Sequence, residues 1–525
     1  MGTNQGDIPD WDFKSARHSS EPPFCLPSEV ILQVASHFAR ARDVAHLSSL
    51  CKTYRDLLLP LLVRDLQIPP HILPAVANFL SAHPNLGLSC RSLYITNSLT
   101  GEFVPYMNGT VLDGLGVILT LAGRLQTFAY RFRPDLNDIP YDILRDFWHG
   151  MLSYTLPRDL KELDFDFAGL AGALFWARPS KGFHTRPVHG MKFAHITRLR
   201  LELDCHDIFE DDAADGIGQS IEQLLTGMRY LEELNTFVYR RGTDLGIFQW
   251  TSNHPSLRSL NVGGYVIDKD ALVAFIERHS SSLESLRLSC EADIDIPSLL
   301  LGGAASDNGS ISALLKLTAL AIGPSELRTV LALPFTDDIA RIPLRYLRVD
   351  EVSAWRVSWF EHLSRCFPEV DSLAFSSLTR HHVAALSKIF KGHGPSGSIT
   401  HLTRPFRNVT DLTLEFRDDP YEHLVNDAIL AVRTTRDFPK ITHLTIGLLT
   451  AFQEREKVAL ALVQHHTSTN PALRKVVIQH GEDDSCGDEP VLELDVRDEA
   501  GDHSILSLRS AERPVRMVNW DRRLG

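Results

Sequence analysis

One pattern constrains this chain more than any other: an apolar residue, two of any type, an apolar residue, one of any type, and a third apolar residue. It reads as Cys90/Leu93/Ile95, Leu125/Phe128/Tyr130, Leu160/Leu163/Phe165, Ile196/Leu199/Leu201, Leu234/Phe237/Tyr239, Leu257/Leu260/Val262 and Leu283/Leu286/Leu288. It continues as Leu317/Leu320/Ile322, Leu344/Leu347/Val349, Val370/Leu373/Phe375, Val409/Leu412/Leu414, Ile441/Leu444/Ile446 and Leu473/Val476/Ile478. The last three positions of each copy alternate as a strand does, so the second and third apolar residues point to one side of a sheet.

The roughly thirteen copies stand about 32 residues apart, longer and less even than the 20–29 residues of regular leucine-rich repeats. Proline often falls two residues before the first apolar position, as at Pro255, Pro368, Pro439 and Pro471. There it cannot continue a preceding helix, and it holds the chain extended into the next strand. The segments between copies carry helical spacing. Asp268 can cap a helix holding Leu272, Phe275 and Ile276, closed by Ser280 to Ser282, and Glu454 to His466 carries Val458, Leu462 and Val463. Strand, loop, helix and turn in one unit predict an α/β solenoid: a curved parallel sheet with outer helices over residues 69–480.

Insertions interrupt the array at Ala168 to His195, Gly302 to Ser312, Gly392 to Ser398 and the acidic Glu482 to Pro490, and these read as surface loops. Within residues 481–525, Val491 to Val496 and Ser504 to Leu508 alternate like strands and read as a terminal hairpin capping the array. Residues 1–23 are polar and Pro/Ser-bearing and read as a disordered tail.

Composition excludes several function classes. Hydrophobic residues make up 44% of the 525, enough for a core along most of the chain. The formal net charge of -13 argues against nucleic acid or an anionic membrane as the main partner. No stretch approaches a membrane span, and the first residues carry Asp7, Asp10 and Asp12 rather than an apolar signal core. The cysteines are scattered and never spaced as CxxC, which favours a reducing compartment, the cytoplasm or nucleus.

Residues 24–68 differ from the rest. Pro27 suits a first helical position, Glu29 the first turn, and Val30, Ile31, Val34 and Phe38 follow at helical spacing. Asp43 can cap a second helix carrying Leu47, Leu50 and Cys51, and Tyr54, Leu57, Leu58 and Leu61 extend the stripe. The series Leu26-Pro27-Ser28-Glu29-Val30-Ile31, Asp43-Val44-Ala45-His46-Leu47 and Leu50-Cys51-Lys52-Thr53-Tyr54-Arg55 resembles an F-box. Tyr54 stands where the family often has Trp. With the repeats downstream, the chain resembles the F-box/leucine-rich-repeat proteins in their degenerate fungal form, although no regular Asn or Cys follows each strand. The resemblance implies a substrate adaptor of an SCF-type ubiquitin ligase. Leu26, Pro27, Val30, Ile31, Leu47, Leu50, Cys51 and Tyr54 would then meet a Skp-type linker, and the repeats would hold a protein substrate. The alternative is a repeat scaffold whose N-terminal helices only cover the array's open end.

Residues between the core positions of each strand face away from the helices, on the concave side of a curved solenoid. That places Glu162, Asp164, Arg198, Arg200 and Glu202 together, and Tyr346, Arg348 and Asp350 farther along. Arg and Tyr are enriched among binding hot spots, so Arg198, Arg200, Tyr346 and Arg348 are the candidate substrate contacts. Phe175 and Trp176 could overhang this face from their insertion. The acidic run Asp204 to Asp215 lacks the Gly-centred calcium-loop spacing and reads as a solvated loop. The adjacent pairs His381-His382 and His465-His466 do not face a common metal. No P-loop, nucleophile elbow or HExxH motif occurs, so neither an enzyme nor a cofactor is expected.

Overall fold

The computed structural model describes residues 27–36, 44, 47–69, 72–96, 109–131, 157–166, 193–203, 225–238, 248, 254–264, 268–290, 294–301, 314–332, 342–350, 357–379, 382, 406, 408–416, 421–435, 440–448, 450, 452–464, 472–480, 491–499 and 502–511. Among the described residues the first helices with defined bounds are α1 (Ser28–Ser36) and α2 (Lys52–Leu62). The strands are β1 (Asp65–Ile68), β2 (Ser92–Thr96), β3 (Thr127–Arg131), β4 (Glu162–Asp166), β5 (Arg198–Leu203), β6 (Glu233–Val238), β7 (Ser259–Gly264) and β8 (Ser285–Cys290). They continue as β9 (Ala319–Ile322), β10 (Tyr346–Val349), β11 (Ser372–Leu378), β12 (Asp411–Phe416), β13 (His443–Leu448), β14 (Lys475–His480), β15 (Val491–Glu499) and β16 (Asp502–Ala511).

All belong to one 16-stranded sheet in which spatial order equals chain order. The architecture is mixed α/β: a long, open sheet, parallel from β1 to β14 and compatible with a solenoid. A parallel neighbour needs a crossover, and among the described residues helices stand in the connections after β1, β2, β7, β8, β9, β10, β12 and β13. They are α3 (Leu73–Ala82) and α4 (Pro84–Gly87) after β1, α5 (Gly109–Leu121) after β2, α6 (Lys269–His279) after β7 and α7 (Ile296–Leu301) after β8. Next come α8 (Pro324–Leu331) after β9, α9 (Val357–Cys366) after β10, α10 (Tyr421–Thr434) after β12 and α11 (Phe452–Gln464) after β13. Helix α6 shows how sequence sets these units. Asp268 accepts a hydrogen bond from the Ala271 N–H at 2.8 Å, and Leu272, Phe275 and Ile276 lie buried on one face.

The middle apolar position of the repeat forms one ladder. Leu199 pairs with Leu234, Leu234 with Leu260 and Leu260 with Leu286, and the same row continues through Leu347, Leu373, Leu412, Leu444 and Val476. These side chains and their companions two residues later form one continuous core with the helices. Each fully buried Leu, Ile, Val or Phe contributes about 1.5–3 kcal/mol of hydrophobic stabilisation, so three per repeat support a stack no single repeat could sustain.

The structure corrects three readings of the sequence. The copy read as Leu234/Phe237/Tyr239 is one step out of frame. Leu231, Leu234 and Thr236 occupy the three inward positions, and the Thr236 methyl-bearing side chain stands fully buried where its neighbours have Leu201 and Val262. At Pro255 and Pro368 the proline before the strand acts as a turn former rather than an extended lead. The His254 carbonyl accepts the Leu257 N–H at 2.9 Å, and the Phe367 carbonyl accepts the Val370 N–H at 3.4 Å, so Pro255 and Pro368 sit at the second position of a turn. The sheet also begins earlier than residue 69. Leu66 and Ile68 pair with Leu93 and Ile95, inside the segment assigned to the helical module.

The sheet changes sense at its end. β15 pairs antiparallel with β14 and β16 antiparallel with β15. The tail over 1–23 and the four insertions lie outside the described residues, apart from the 193–195 turn.

Candidate functional site

The first candidate surface is the helical pair. Ile31, Ala35, Val44, Cys51, Tyr54 and Leu58 form a small core separate from that of the array, with Leu32, Leu47, Leu57 and Leu62 packed against it. Cys51 starts α2, where its Sγ accepts the Tyr54 N–H at 3.5 Å. The Pro27 carbonyl accepts the N–H groups of Val30 and Ile31.

This packing divides the residues singled out for linker contact. Ile31, Cys51 and Tyr54 are interior, each less than 5% exposed. Leu47 is half-buried, while Pro27, Val30 and Leu50 face solvent, Leu50 at 53% exposure. Leu26 lies outside the described residues. The sequence pattern marked both sets alike, because an apolar residue at helical spacing looks the same whether it packs inward or waits for a partner.

The second candidate surface is the sheet face opposite the core. Here the central row includes Asp164, Arg200, Asn235, Asn261, Arg287, Ala321, Arg348, Ala374 and Thr413 in lateral register. Its charged members are paired, with Asp164, Arg200 and Arg348 buried and Arg287 half-buried. Arg348 is 2% exposed, and its Nη1 and Nη2 donate to the two carboxylate oxygens of Glu415 at 3.0 and 2.8 Å. Its Nε donates to Asp350 Oδ1 at 2.6 Å, and Ser376 Oγ donates to the same oxygen at 2.7 Å. Arg287 approaches Asp350 Oδ2 at 3.7 Å.

The small residues between these strands make this possible. Arg348 on β10 reaches Glu415 on β12 across Ala374 and Ser376 of β11, and Arg287 on β8 reaches Asp350 across Ala321 of β9. Glu415 in turn lies against Gly447, where a Cβ would stand 2.6 Å from Glu415 Cγ. Ser376 is aimed by a bulge in β11, at which Ser377 takes a φ of 53°. Burial pushes the Asp350 carboxyl up, but the Arg348 and Arg287 charges and the two hydrogen bonds outweigh it and hold the group below the usual range.

Arg198 and Arg200 meet a similar fate on β5. Arg198 Nε lies 2.9 Å from Glu233 Oε1 and its Nη1 3.9 Å from Glu162 Oε2. Arg200 lies 3.9 Å from Asp164 Oδ1, and its guanidinium carbon sits 5.3 Å from the Phe237 ring centroid. A Cβ at Gly263 would meet that ring at 2.5 Å, so glycine there leaves room for Phe237 against the next strand. Tyr346 is half-buried beside Arg348 on β10. The structure therefore places the four nominated residues on one face in two clusters, and three of them are engaged with carboxylates of their own chain. Phe175, Trp176 and the acidic run over 204–215 lie outside the described residues.

Sequence reasoning missed Glu415, Arg287 and Ser376. Their signal was present in the alternation of long charged residues on β8, β10 and β12 with Ala or Ser on β9 and β11. Among the described residues, no three His, Cys, Asp or Glu side chains gather as a metal site, and no helix is long and apolar enough to cross a membrane.

No protein-family model and no curated protein matches the chain. Comparison of folds finds a chain of the crystal structure of the yeast Rad7 and Elc1 complex, with a TM-score of 0.35 and 12% identity over 88% of this chain and 99% of that one. A likeness of that size leaves the function to be read from this chain's own surfaces.

Proposed function

We propose that the protein is a non-catalytic adaptor of the F-box/leucine-rich-repeat kind. The α1–α2 module engages a Skp-type linker through Leu26, Pro27, Val30, Leu47 and Leu50, and the repeat array carries a protein partner to a ubiquitin ligase whose other subunits perform the transfer.

The observation that carries this reading is the separate core of the module together with exposed Leu50 and Val30. A plain cap would turn its apolar positions toward the open end of the array. This module packs around Tyr54 and Leu58 instead and keeps aliphatic side chains in solvent. A fully exposed Leu that becomes buried against a partner contributes about 1.5–3 kcal/mol, which favours association. The scaffold alternative draws support from the short join between α2 and β1, only Val63 and Arg64.

The test is co-purification of the full chain with a Skp-type linker. A stable complex on size exclusion supports the adaptor reading, and separate elution of the two proteins at micromolar concentration favours the scaffold.

A further inference from the structure

The edge where the chain enters each strand carries a different surface from the paired face just described. Each turn there closes on the first apolar residue of a repeat, and the residue before the strand uses its carbonyl twice. The Lys161 carbonyl accepts the N–H groups of Thr197 and Arg198, and those of Arg91, Glu232 and Arg258 each accept two N–H groups from the following repeat in the same way. These carbonyls are thus engaged within the chain, and the side chains of the turns are the groups placed to meet a partner.

Those side chains are mainly cationic from β2 to β7. They are Arg91, Arg124, Arg158, Lys161, Arg229 and Arg258, all but half-buried Arg91 exposed. Arg91 Nη1 donates to the carbonyl of Arg124 at 3.1 Å, which ties two successive turns side by side. Arg258 has Glu284 at 3.9 Å, with the Arg side chain exposed and the Glu side chain half-exposed, where such a pair contributes little. Tyr230, next to Arg229 at a turn tip, is 62% exposed. A cationic edge with an exposed Tyr contrasts with a chain whose formal net charge is -13.

We infer that this strand-entry edge binds an extended acidic peptide segment of a partner protein. The cations stand on the turns before β2, β3, β4, β6 and β7, with none among the described residues of the turn before β5. Neighbouring strands lie roughly 4.8 Å apart and alternate side chains of an extended peptide recur at about 6.6 Å, so carboxylates on one side of such a peptide can reach cations on several of these turns. Tyr230 and Arg229 supply the residue types enriched at binding hot spots. Asp159 and Glu232 interrupt the row, which disfavours the continuous phosphate backbone of a nucleic acid. The inference deepens the adaptor reading by naming the chemistry of the captured segment, but the binding itself does not require a linker.

The test uses the full chain and a fluorescein-labelled peptide of alternating Glu and Ser. About ten residues give an extended reach of roughly 33 Å, enough to span β2 to β7. Anisotropy should show saturable binding that weakens as salt rises from about 50 to 200 mM. The variant Arg124→Glu/Arg158→Glu/Arg229→Glu should lose about tenfold or more in affinity, with an unchanged circular dichroism spectrum and unchanged capture of the linker. The distal variant Lys440→Glu/Arg474→Glu should bind as the parent does. Equal affinity of the triple variant and the parent overturns the inference, as does tighter binding of a single-stranded oligonucleotide of equal charge. Failure of the linker to bind, with peptide binding intact, counts against the adaptor reading alone.

Discussion

Arg348 and Glu415 form a two-pronged ion pair across an intervening strand, at 3.0 and 2.8 Å, with both residues buried. The pair joins β10 to β12 and, through Asp350 and Arg287, to β8. A solenoid repeat otherwise touches only its nearest neighbours. This network adds contacts between next-nearest repeats, so it should make β8 to β12 unfold as one unit.

Removing Arg348 takes the two-pronged partner away from buried Glu415 and leaves Asp350 with only Arg287 and Ser376. Arg348→Ala should therefore cost about 3–5 kcal/mol, whereas Arg348→Met/Glu415→Leu should recover a large part of it by replacing charge with packing. Urea melts of the parent and both variants make the comparison. A double variant less stable than the single one would show that the pair is not the principal tie.

The bulge that aims Ser376 at Asp350 holds Ser377 in the left-handed region. A side chain there costs about 1–2 kcal/mol relative to glycine. Relief is partly offset by glycine's greater freedom in the unfolded chain. Ser377→Gly should thus raise stability by up to about 1 kcal/mol, and Ser377→Val should lower it, as read from thermal midpoints.

The turn before β7 carries a pH-sensitive contact. The His254 N–H donates to His279 Nε2 at 3.1 Å, and His279 Nδ1 lies 2.8 Å from the Phe275 carbonyl, so His279 fits this site as the neutral Nδ1–H tautomer. Burial pushes His254 down from 6.5 to about 4, helped by the neighbouring His279 and opposed by the bond to the Met228 carbonyl. Burial also lowers His279. A group with a depressed imidazole pKa takes up its proton in the unfolded chain first. Stability is thus complete above 6.5 and falls as pH drops toward 4, by up to about 3 kcal/mol for His254. Urea melts from pH 7.5 to pH 4.5 should show this fall, and His254→Asn should flatten it. A slope unchanged in the variant would assign the pH dependence to other groups.

Much of the fold was legible because the repeat has a period that burial enforces. The second apolar position of nearly every copy lies in one ladder, and Asp268 capped its helix where the spacing placed it. The frame failed at Leu234, where Phe237 and Tyr239 mimic the next two core positions and polar Thr236 takes the inward place. A local pattern cannot see that lateral neighbours fix the register. The candidate contacts were harder to read for the same reason. Arg348 and Arg200 were placed on the right face, but their partners lie one or two strands away, and only the lateral stacking brings Glu415 and Asp164 to them.

The helical module divides its apolar residues in a way that mutation can expose. Ile31→Asp places a charge in the small core and should unfold the module, seen as lost helical signal and faster proteolysis before residue 65, with the array intact. Leu50→Asp lies in solvent and should leave the module folded.

The most direct measurement is calorimetric titration of a purified Skp-type linker into the 525-residue chain and into its Val30→Asp/Leu50→Asp variant. The expected result is saturable binding by the parent and a loss of about a hundredfold in the variant, since two exposed aliphatic side chains lose their burial, with the array's melting unchanged. No binding by the parent, or equal affinity for both proteins, would contradict the adaptor reading.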